Sequence, residues 1–206
     1  MIDYEQLLEL LRSRRSIRRF ADQAVSREDL ARLLEAARWA PSNHNRQGWR
    51  LLVFADRARI RSLAEHVKSG LRERFQGVSR LPAEAMEDLV RHATWFGEAP
   101  CLAVVLSKGP SAAGAGLLEG LAHPDLVSGE PLSAAMATQN FLLLAHASGL
   151  GACILTAPLL APGALDAIPD VPSGFRVLCL VALGYPAEDP APPRRKALEH
   201  LLDFRG

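Results

Sequence analysis

Apolar residues recur along this chain with two different spacings, and these spacings predict where helices and strands lie. Repeats every three or four residues predict amphipathic helices, and short runs of branched apolar residues predict buried strands. The predicted helices cover residues 3–13, 27–40, 57–74, 133–148 and 164–168, with another that has Pro82 in its first turn and inward-facing residues through Ala93, and a further helix near the C-terminus. The predicted strands cover residues 49–54, 101–106, 152–155 and 176–183. Helices and strands do not alternate regularly, so this order favours an α+β fold over a doubly wound sheet.

Two of the predicted helices begin with recognisable capping residues. Asp3 is followed three residues later by Gln6, and Ser26 is followed at the same distance by Asp29. A capping side chain that accepts a hydrogen bond from the first turn satisfies one of the helix's unpaired backbone donors. We therefore expect the first two helices to begin directly after Asp3 and Ser26.

The predicted helix over residues 133–148 is apolar on nearly every side. A helix of this kind must be buried all round, and a chain of 206 residues has little room for that within one subunit. The stretch from residue 131 to 165 has no Asp, Glu, Lys or Arg, yet it lacks the run of about 20 apolar residues that a membrane span needs. We expect this helix at the centre of a dimer and not in a membrane.

The composition is that of one globular domain spanning residues 1–206. Hydrophobic residues make up 49% of the chain, which is enough for one sizeable core and a poor fit to two. The 24 basic residues nearly balance the 23 acidic ones, giving a net charge of +1. That balance leaves no global field for binding nucleic acid or an anionic membrane. Any anion site must therefore come from a local cluster of arginines.

Several familiar kinds of site are missing from the sequence. The three cysteines lie in apolar stretches without CxxC spacing and the six histidines are scattered, so we expect neither disulfides nor a metal centre. Gly149-Leu-Gly151 lacks the third glycine of a dinucleotide fingerprint and follows a predicted helix instead of a strand. The N-terminus is acidic and has no apolar signal-peptide core, so we expect a cytoplasmic protein.

Residues 12–20, which we call the arginine segment, contain five arginines and two serines. A solvated charge run is the usual fate of such a stretch. The alternative is a phosphate site, because guanidinium groups and a serine hydroxyl donate charge-assisted hydrogen bonds to a dianion. The segment by itself does not decide between these two interpretations.

Residues 41–48, which we call the amide loop, join a predicted helix to a predicted strand. The loop contains three carboxamides within five positions, namely Asn43, Asn45 and Gln47. Such side chains match the donors and acceptors of a flavin's pyrimidine edge and ribityl chain. Pro-Ser-Asn is also good turn chemistry, so a purely structural turn is an equal alternative.

Four motifs, taken together and in order, resemble the nitroreductase family. They are Arg14-Arg-Ser-Ile-Arg-Arg-Phe20, Pro41-Ser-Asn-His-Asn-Arg-Gln-Gly-Trp49, the apolar helix that ends in Gly149-Leu-Gly151, and Leu183-Gly-Tyr-Pro186 followed by Arg194-Arg195. They extend over nearly the whole chain. The one departure is Gly48, which stands where proline is usual in the family.

The resemblance implies a nitroreductase-like α+β fold, with a central mixed, mostly antiparallel sheet flanked by helices in an intertwined homodimer. It also implies FMN bound at the dimer interface, with some contacts coming from the other subunit. Arg14, Arg15 and Ser16 hold the phosphate and ribityl oxygens, and Arg18 approaches the flavin N1–O2 region. The other cofactor-binding residues that it implies are Ser42, Asn43, Asn45, Gln47, Leu155, Thr156, Ala157, Arg194 and Arg195.

The implied activity is transfer of hydride from NADH or NADPH through FMN to a nitroaromatic, a quinone or a similar small electrophile, by a ping-pong mechanism. The flavin does the chemistry, so no dedicated catalytic acid or base is expected in the protein. Two alternatives stay open: dehydrogenation, dehalogenation or flavin fragmentation on the same fold, and flavin binding without turnover. A mobile lid is expected within residues 109–131, but the sequence indicates neither the acceptor nor the preferred nicotinamide.

Overall fold

The computed structural model describes residues 3–76, 82–109, 129–161 and 168–205, together with positions 116, 119, 120, 163 and 165. In these residues the helices are α1 (Tyr4–Ser13), α2 (Arg27–Ala37), α3 (Arg57–Phe75), α4 (Ala83–Thr94) and α5 (Glu130–Ala147). The strands are β1 (Trp49–Phe54), β2 (Cys101–Lys108), β3 (Gly151–Leu155) and β4 (Phe175–Gly184). Most of the predicted lid and of the predicted helix at 164–168 lies outside the described residues.

The strands form one sheet in the order β1-β2-β4-β3, and every neighbouring pair is antiparallel. The register places Trp49 opposite Ser107 at one end of the sheet and Cys101 opposite Leu183 at the other end. A single parallel bridge between Ser16 and Ala152 adds the arginine segment beside β3. The α+β prediction with a mostly antiparallel sheet is confirmed.

Both faces of the sheet are buried, which explains why the central strands are apolar without interruption. Successive side chains of a strand point to opposite faces. Leu102, Val104 and Leu106 accordingly join the core that α3 and α4 cover, whereas Cys101, Ala103 and Val105 join the core that α2 and α5 cover. The β2 sequence therefore contains two interleaved apolar faces and shows no polar alternation.

The predicted helix starts are found at the expected residues. The Asp3 carboxylate accepts a hydrogen bond from Gln6 N at 2.8 Å, and the Gln6 side chain accepts one in return from Asp3 N. Ser26 Oγ accepts from Asp29 N at 3.0 Å. The helix ends differ more, because α2 stops at Ala37 before the proline that was expected to end it. The predicted C-terminal helix is a single 3₁₀ turn at Leu198–His200.

Parts of the surface are apolar and uncovered in the single chain. Helix α1 buries no residue, and its Leu7 and Leu11 are exposed. One side of α5 packs on α2 and the sheet, whereas Leu132 and Met136 on the same helix are exposed. The prediction that α5 is buried all round is thus met only in part by one chain. No helix among the described residues is long and apolar enough to cross a membrane.

Candidate functional site

The arginine segment runs along the outer edge of β3. Ile17 N donates to Ala152 O at 3.1 Å, and Gly151 lies against Ile17 so closely that an added Cβ would be 2.7 Å from Ile17 Cβ. The segment therefore continues the sheet by one short strand. Because its side chains alternate across this edge, buried Ile17 anchors it while its arginine and serine neighbours stay accessible.

This edge forms one wall of a basic cavity of about 290 Å³. The cavity is lined by Arg14, Arg15, Ser16, Arg18, Pro190, Ala191, Pro193 and Arg195. No carboxylate lines it, and none of the ion pairs found among the described residues involves one of these four arginines. Four cations that line one cavity without a carboxylate supply the type of donors that charge-assisted binding of a dianion uses.

Glu188 holds the arginine segment from the opposite side, and sequence analysis did not single it out. Its carboxylate accepts hydrogen bonds from the backbone N–H groups of Arg18 at 2.5 Å and Arg19 at 3.0 Å. It also pairs with Arg19 Nε at 3.1 Å. The donation from Arg18 N is the main cause that lowers the pKa of Glu188 below its usual value. No local motif marks this residue, because its partners lie about 170 positions earlier in the chain.

A second cavity of about 220 Å³ lies behind the same segment. His146 of α5 lines it and is 2.8 Å from Ser13 Oγ through Nε2. Partial burial lowers the pKa of His146, and the positive charges of Arg14 and Arg15 lower it further. This contact joins the end of α1 to α5 directly behind the basic cavity.

The amide loop is strained and internally hydrogen-bonded. His44, Asn45 and Gln47 all have left-handed backbone conformations, with φ of 50°, 54° and 48°. Non-glycine residues adopt this region rarely and at some energetic cost. Gln47 N donates to Ser42 Oγ at 3.1 Å, and Gln47 Nε2 donates to Asn45 Oδ1 at 3.2 Å. The surrounding contacts therefore hold the loop in one particular shape.

Helix α5 supplies the outer contacts of this loop. Asn43 N donates to Ser133 Oγ at 3.0 Å, and Arg46 Nη1 lies 3.7 Å from Glu130 Oε1. Two buried side-chain atoms here have no hydrogen-bond partner among the described residues, namely Trp49 Nε1 and Glu130 Oε2. The first turn of α5 thus contacts the amide loop at several points. The contact region still contains two buried polar atoms without a hydrogen-bond partner among the described residues.

The third predicted group follows β3. Leu155 is buried in the core, whereas Thr156 is exposed and Ala157 is half-buried. Thr156 O accepts from Leu159 N at 2.9 Å, which begins a 3₁₀ turn. The chain therefore leaves the sheet at this point, on the same edge that carries the arginine segment.

Two of the three predicted groups lie far apart within one chain. Arg14, Arg15, Ser16, Arg18 and Arg195 meet at the basic cavity, whereas Arg194 is exposed and does not line it. The amide loop lies at the opposite edge and opposite end of the sheet. From the register, about six residues along the strands and three strand spacings separate the two corners, which corresponds to roughly 25 Å. A single chain thus holds the two groups far apart.

Other chemistry has little support. In the part of the chain that is described, no group of three or more His, Cys, Asp or Glu side chains could hold a metal ion. The three cysteines are free and buried, and burial raises the pKa of Cys101 to about 12 and that of Cys179 to about 11. Such thiols are inert as nucleophiles at neutral pH.

Comparison with proteins of known sequence identifies relatives along the whole chain. A profile of the nitroreductase family matches residues 11–185. A protein named NADH dehydrogenase from Thermus thermophilus is 33% identical over 202 residues, covering 93% of this chain and 92% of its own. An iodotyrosine deiodinase from Thermotoga neapolitana is 29% identical, covering 97% of this chain and 100% of its own.

Solved structures share the fold. A BluB-like flavoprotein from Clostridium difficile superposes with a TM-score of 0.81 at 24% identity, covering 97% of this chain and 99% of its own. A nitroreductase with bound FMN from Desulfitobacterium hafniense gives 0.70 at 21% identity, and the match covers both chains in full. With a family profile over most of its length and relatives along all of it, this chain belongs to the nitroreductase family.

Proposed function

We propose that this protein is an FMN-dependent oxidoreductase that uses NADH or NADPH to reduce a small electrophile such as a nitroaromatic or a quinone. The observation that carries the proposal is the basic cavity, where Arg14, Arg15, Arg18 and Arg195 converge with Ser16 and no carboxylate. Family membership supports an oxidoreductase, and a solved structure of the same fold contains FMN. Neither finding identifies the electron donor or acceptor.

The residues present fit FMN at both ends of the site. The basic cavity supplies guanidinium donors and a hydroxyl for the phosphate. The amide loop supplies carboxamides that match the ring and the ribityl chain, and its neighbourhood contains two unsatisfied buried polar atoms. We assign Arg14, Arg15, Ser16 and Arg195 to the phosphate and ribityl oxygens, and Arg18 to the ring.

When bound, FMN supplies hydride chemistry at N5, taking electrons from a nicotinamide and giving them to the acceptor. The protein's part is to bind, to orient and to stabilise charge. The cationic Arg18, held at its backbone by Glu188, would stabilise negative charge on the reduced ring. Leu155, Thr156 and Ala157 would line the N5 side, where a backbone N–H can stabilise the reduced ring.

The wide separation of the two groups of site residues supports a homodimer. Ser42, Asn43 and Asn45 would then meet the flavin bound to the arginine segment of the partner subunit, with Gln47 nearby. The uncovered apolar side chains of α1, α5 and the C-terminal tail supply the surface, among them Leu7, Leu11, Leu132, Met136, Leu201 and Phe204. An obligate interface of this kind buries more than about 2,000 Å². We place the protein in the cytoplasm, where its three free cysteines would stay reduced.

A second candidate function is reductive dehalogenation on the same fold. It is favoured by the relative named iodotyrosine deiodinase, which this chain matches over its entire length. Dehydrogenation and flavin fragmentation are further activities on this fold that acceptor profiling would detect. Flavin binding without turnover is the other alternative.

Stopped-flow reduction separates these possibilities. We expect the purified protein to be a yellow dimer whose flavin absorbance bleaches when NADH or NADPH is added without an acceptor. Steady-state data at varied acceptor should give parallel double-reciprocal lines, since one cleft serves both substrates in turn. A colourless protein that takes up no FMN refutes the proposal. Flavin that stays oxidised under excess of both nicotinamides supports binding without turnover, and release of halide from a halogenated phenol supports the dehalogenase.

A further inference from the structure

Glu130 is a buried carboxylate with an incomplete set of partners. Its side chain is only 4% exposed, and among the described residues its one ionic partner is Arg46, whose Nη1 lies 3.7 Å from Oε1. No described residue donates a hydrogen bond to Oε2. Burial of a charge with so little compensation is costly, and the N-terminus of α5 offsets only part of that cost. The position of this charge therefore requires an explanation beyond stability.

Gly48 provides the space for this carboxylate. A Cβ at position 48 would lie 2.8 Å from Glu130 Cδ and closer still to Oε2. Gly48 is not among the residues with a positive φ, so its backbone conformation does not demand glycine. In this structure the Glu130 carboxylate thus occupies the space that a side chain at position 48 would take, and a methyl group there would force the carboxylate to move.

The first turn of α5 also contacts the amide loop directly. Ser133 accepts from Asn43 N, and Gly129 lies directly against the Asn43 side chain. The loop between Asn43 and Gly48 contains three left-handed non-glycine residues, which persist only when neighbouring groups fix them. Glu130 contacts this strained stretch at Arg46 and at Gly48.

We propose that Glu130 is a positioning residue for the flavin, an inference that rests on the proposed function. Its carboxylate, accommodated by Gly48 and paired with Arg46, holds the amide loop in the shape that contacts the cofactor. Glu130 acts through the loop and not on the phosphate. Its loss should therefore weaken FMN and riboflavin equally, because riboflavin shares the ring and ribityl chain but lacks the phosphate.

A double-mutant cycle tests this assignment. The variants are Glu130→Ala, Gly48→Ala and the double variant, with Glu130→Gln as a form that keeps the side-chain volume. Glu28→Ala is the control, since Glu28 forms an exposed pair with Arg32 on α2. Affinities for FMN and riboflavin are measured by flavin fluorescence on the full-length apoprotein, and urea unfolding of each apoprotein gives its stability separately.

We expect Glu130→Ala and Gly48→Ala each to weaken both ligands about tenfold, within the range of roughly 2- to 150-fold that coupled neighbours show. In the Glu130→Ala background, Gly48→Ala should change affinity less than about twofold, because the space is then free. Glu130→Gln should be intermediate, and the control should match the parent protein.

Three results overturn the proposal. They are additive effects in the cycle, loss of FMN affinity with riboflavin affinity unchanged, or a fall in apoprotein stability without any change in affinity for either ligand. Failure of the proposed function looks different, because the unmodified protein would then bind neither flavin. In that case the assignment of Glu130 also falls. If Glu130→Ala does not fold, Gly48→Ala and Glu130→Gln test the proposal instead. Each of them must then weaken FMN and riboflavin binding by the same factor.

Discussion

Replacing Glu188 by alanine should release the arginine segment and destabilise the fold by about 2–3 kcal/mol. The carboxylate accepts hydrogen bonds from two consecutive backbone N–H groups, those of Arg18 and Arg19. Hydrogen bonds to a charged group contribute about 1.5–3 kcal/mol each. The Arg19 side chain is 76% exposed, so its ion pair with Glu188 adds little. Two such bonds would sum to about 3–6 kcal/mol, but both are exposed to solvent, so we expect a smaller loss of about 2–3 kcal/mol.

The same variant should weaken flavin binding, because the backbone that carries Arg18 lines the basic cavity. Glu188→Gln keeps an acceptor oxygen and should lose about half as much stability, roughly 1 kcal/mol, since a neutral acceptor makes weaker bonds. Urea unfolding followed by circular dichroism measures the change, and an unchanged m-value shows that the native and denatured states stay comparable. Glu73→Ala, an exposed glutamate on α3, is the matched control.

The pH dependence gives an independent check. The folded protein lowers the pKa of Glu188, whereas the unfolded chain has the ordinary value of about 4.3. The unfolded state therefore binds a proton first as pH falls, and the stabilisation by Glu188 is lost as pH falls from that value through the folded pKa. The difference in free energy of unfolding between the parent protein and Glu188→Gln should be constant near pH 7 and should become smaller below about pH 4. A difference in free energy of unfolding of less than about 0.5 kcal/mol at pH 7 is the size of an ordinary surface effect. That result would refute the stabilising role of Glu188.

Three further outcomes are expected. Arg195→Ala should weaken FMN about 10- to 150-fold, the loss of one charge-assisted bond, and leave riboflavin affinity unchanged; equal small effects on both ligands would indicate a merely solvated arginine. The lowered pKa of His146 means that the unfolded chain is protonated first, so stability should fall as pH drops below about 6.5; His146→Gln should flatten that slope in urea unfolding, and an unchanged slope would contradict it. Gly151→Ala places a methyl group 2.7 Å from Ile17 Cβ and should cost about 1–3 kcal/mol by overpacking, measured by thermal unfolding.

The local structure could be predicted from the sequence because short-range physics determines it. The capping box at Asp3 and Gln6 was predictable because its partners are three residues apart. Strand β1 was predicted at its observed limits, since the run of large apolar residues from Leu51 to Phe54 is typical of a strand. The arginine segment was recognisable from its composition. Its side chains line one cavity because the segment pairs with the edge of β3.

Contacts between distant residues were decided only by the tertiary structure. Glu188 reaches the arginine segment across about 170 positions, and no periodicity or motif encodes such a pairing. Gly48 and Glu130 lie 82 positions apart in the sequence, which therefore cannot show that the Glu130 carboxylate occupies the space next to Gly48. Nor could the sequence reveal that the amide loop and the basic cavity occupy opposite corners of the sheet. Register and strand order depend on how both faces of the sheet pack against the helices. Those contacts join distant parts of the chain and form only when the whole chain has folded.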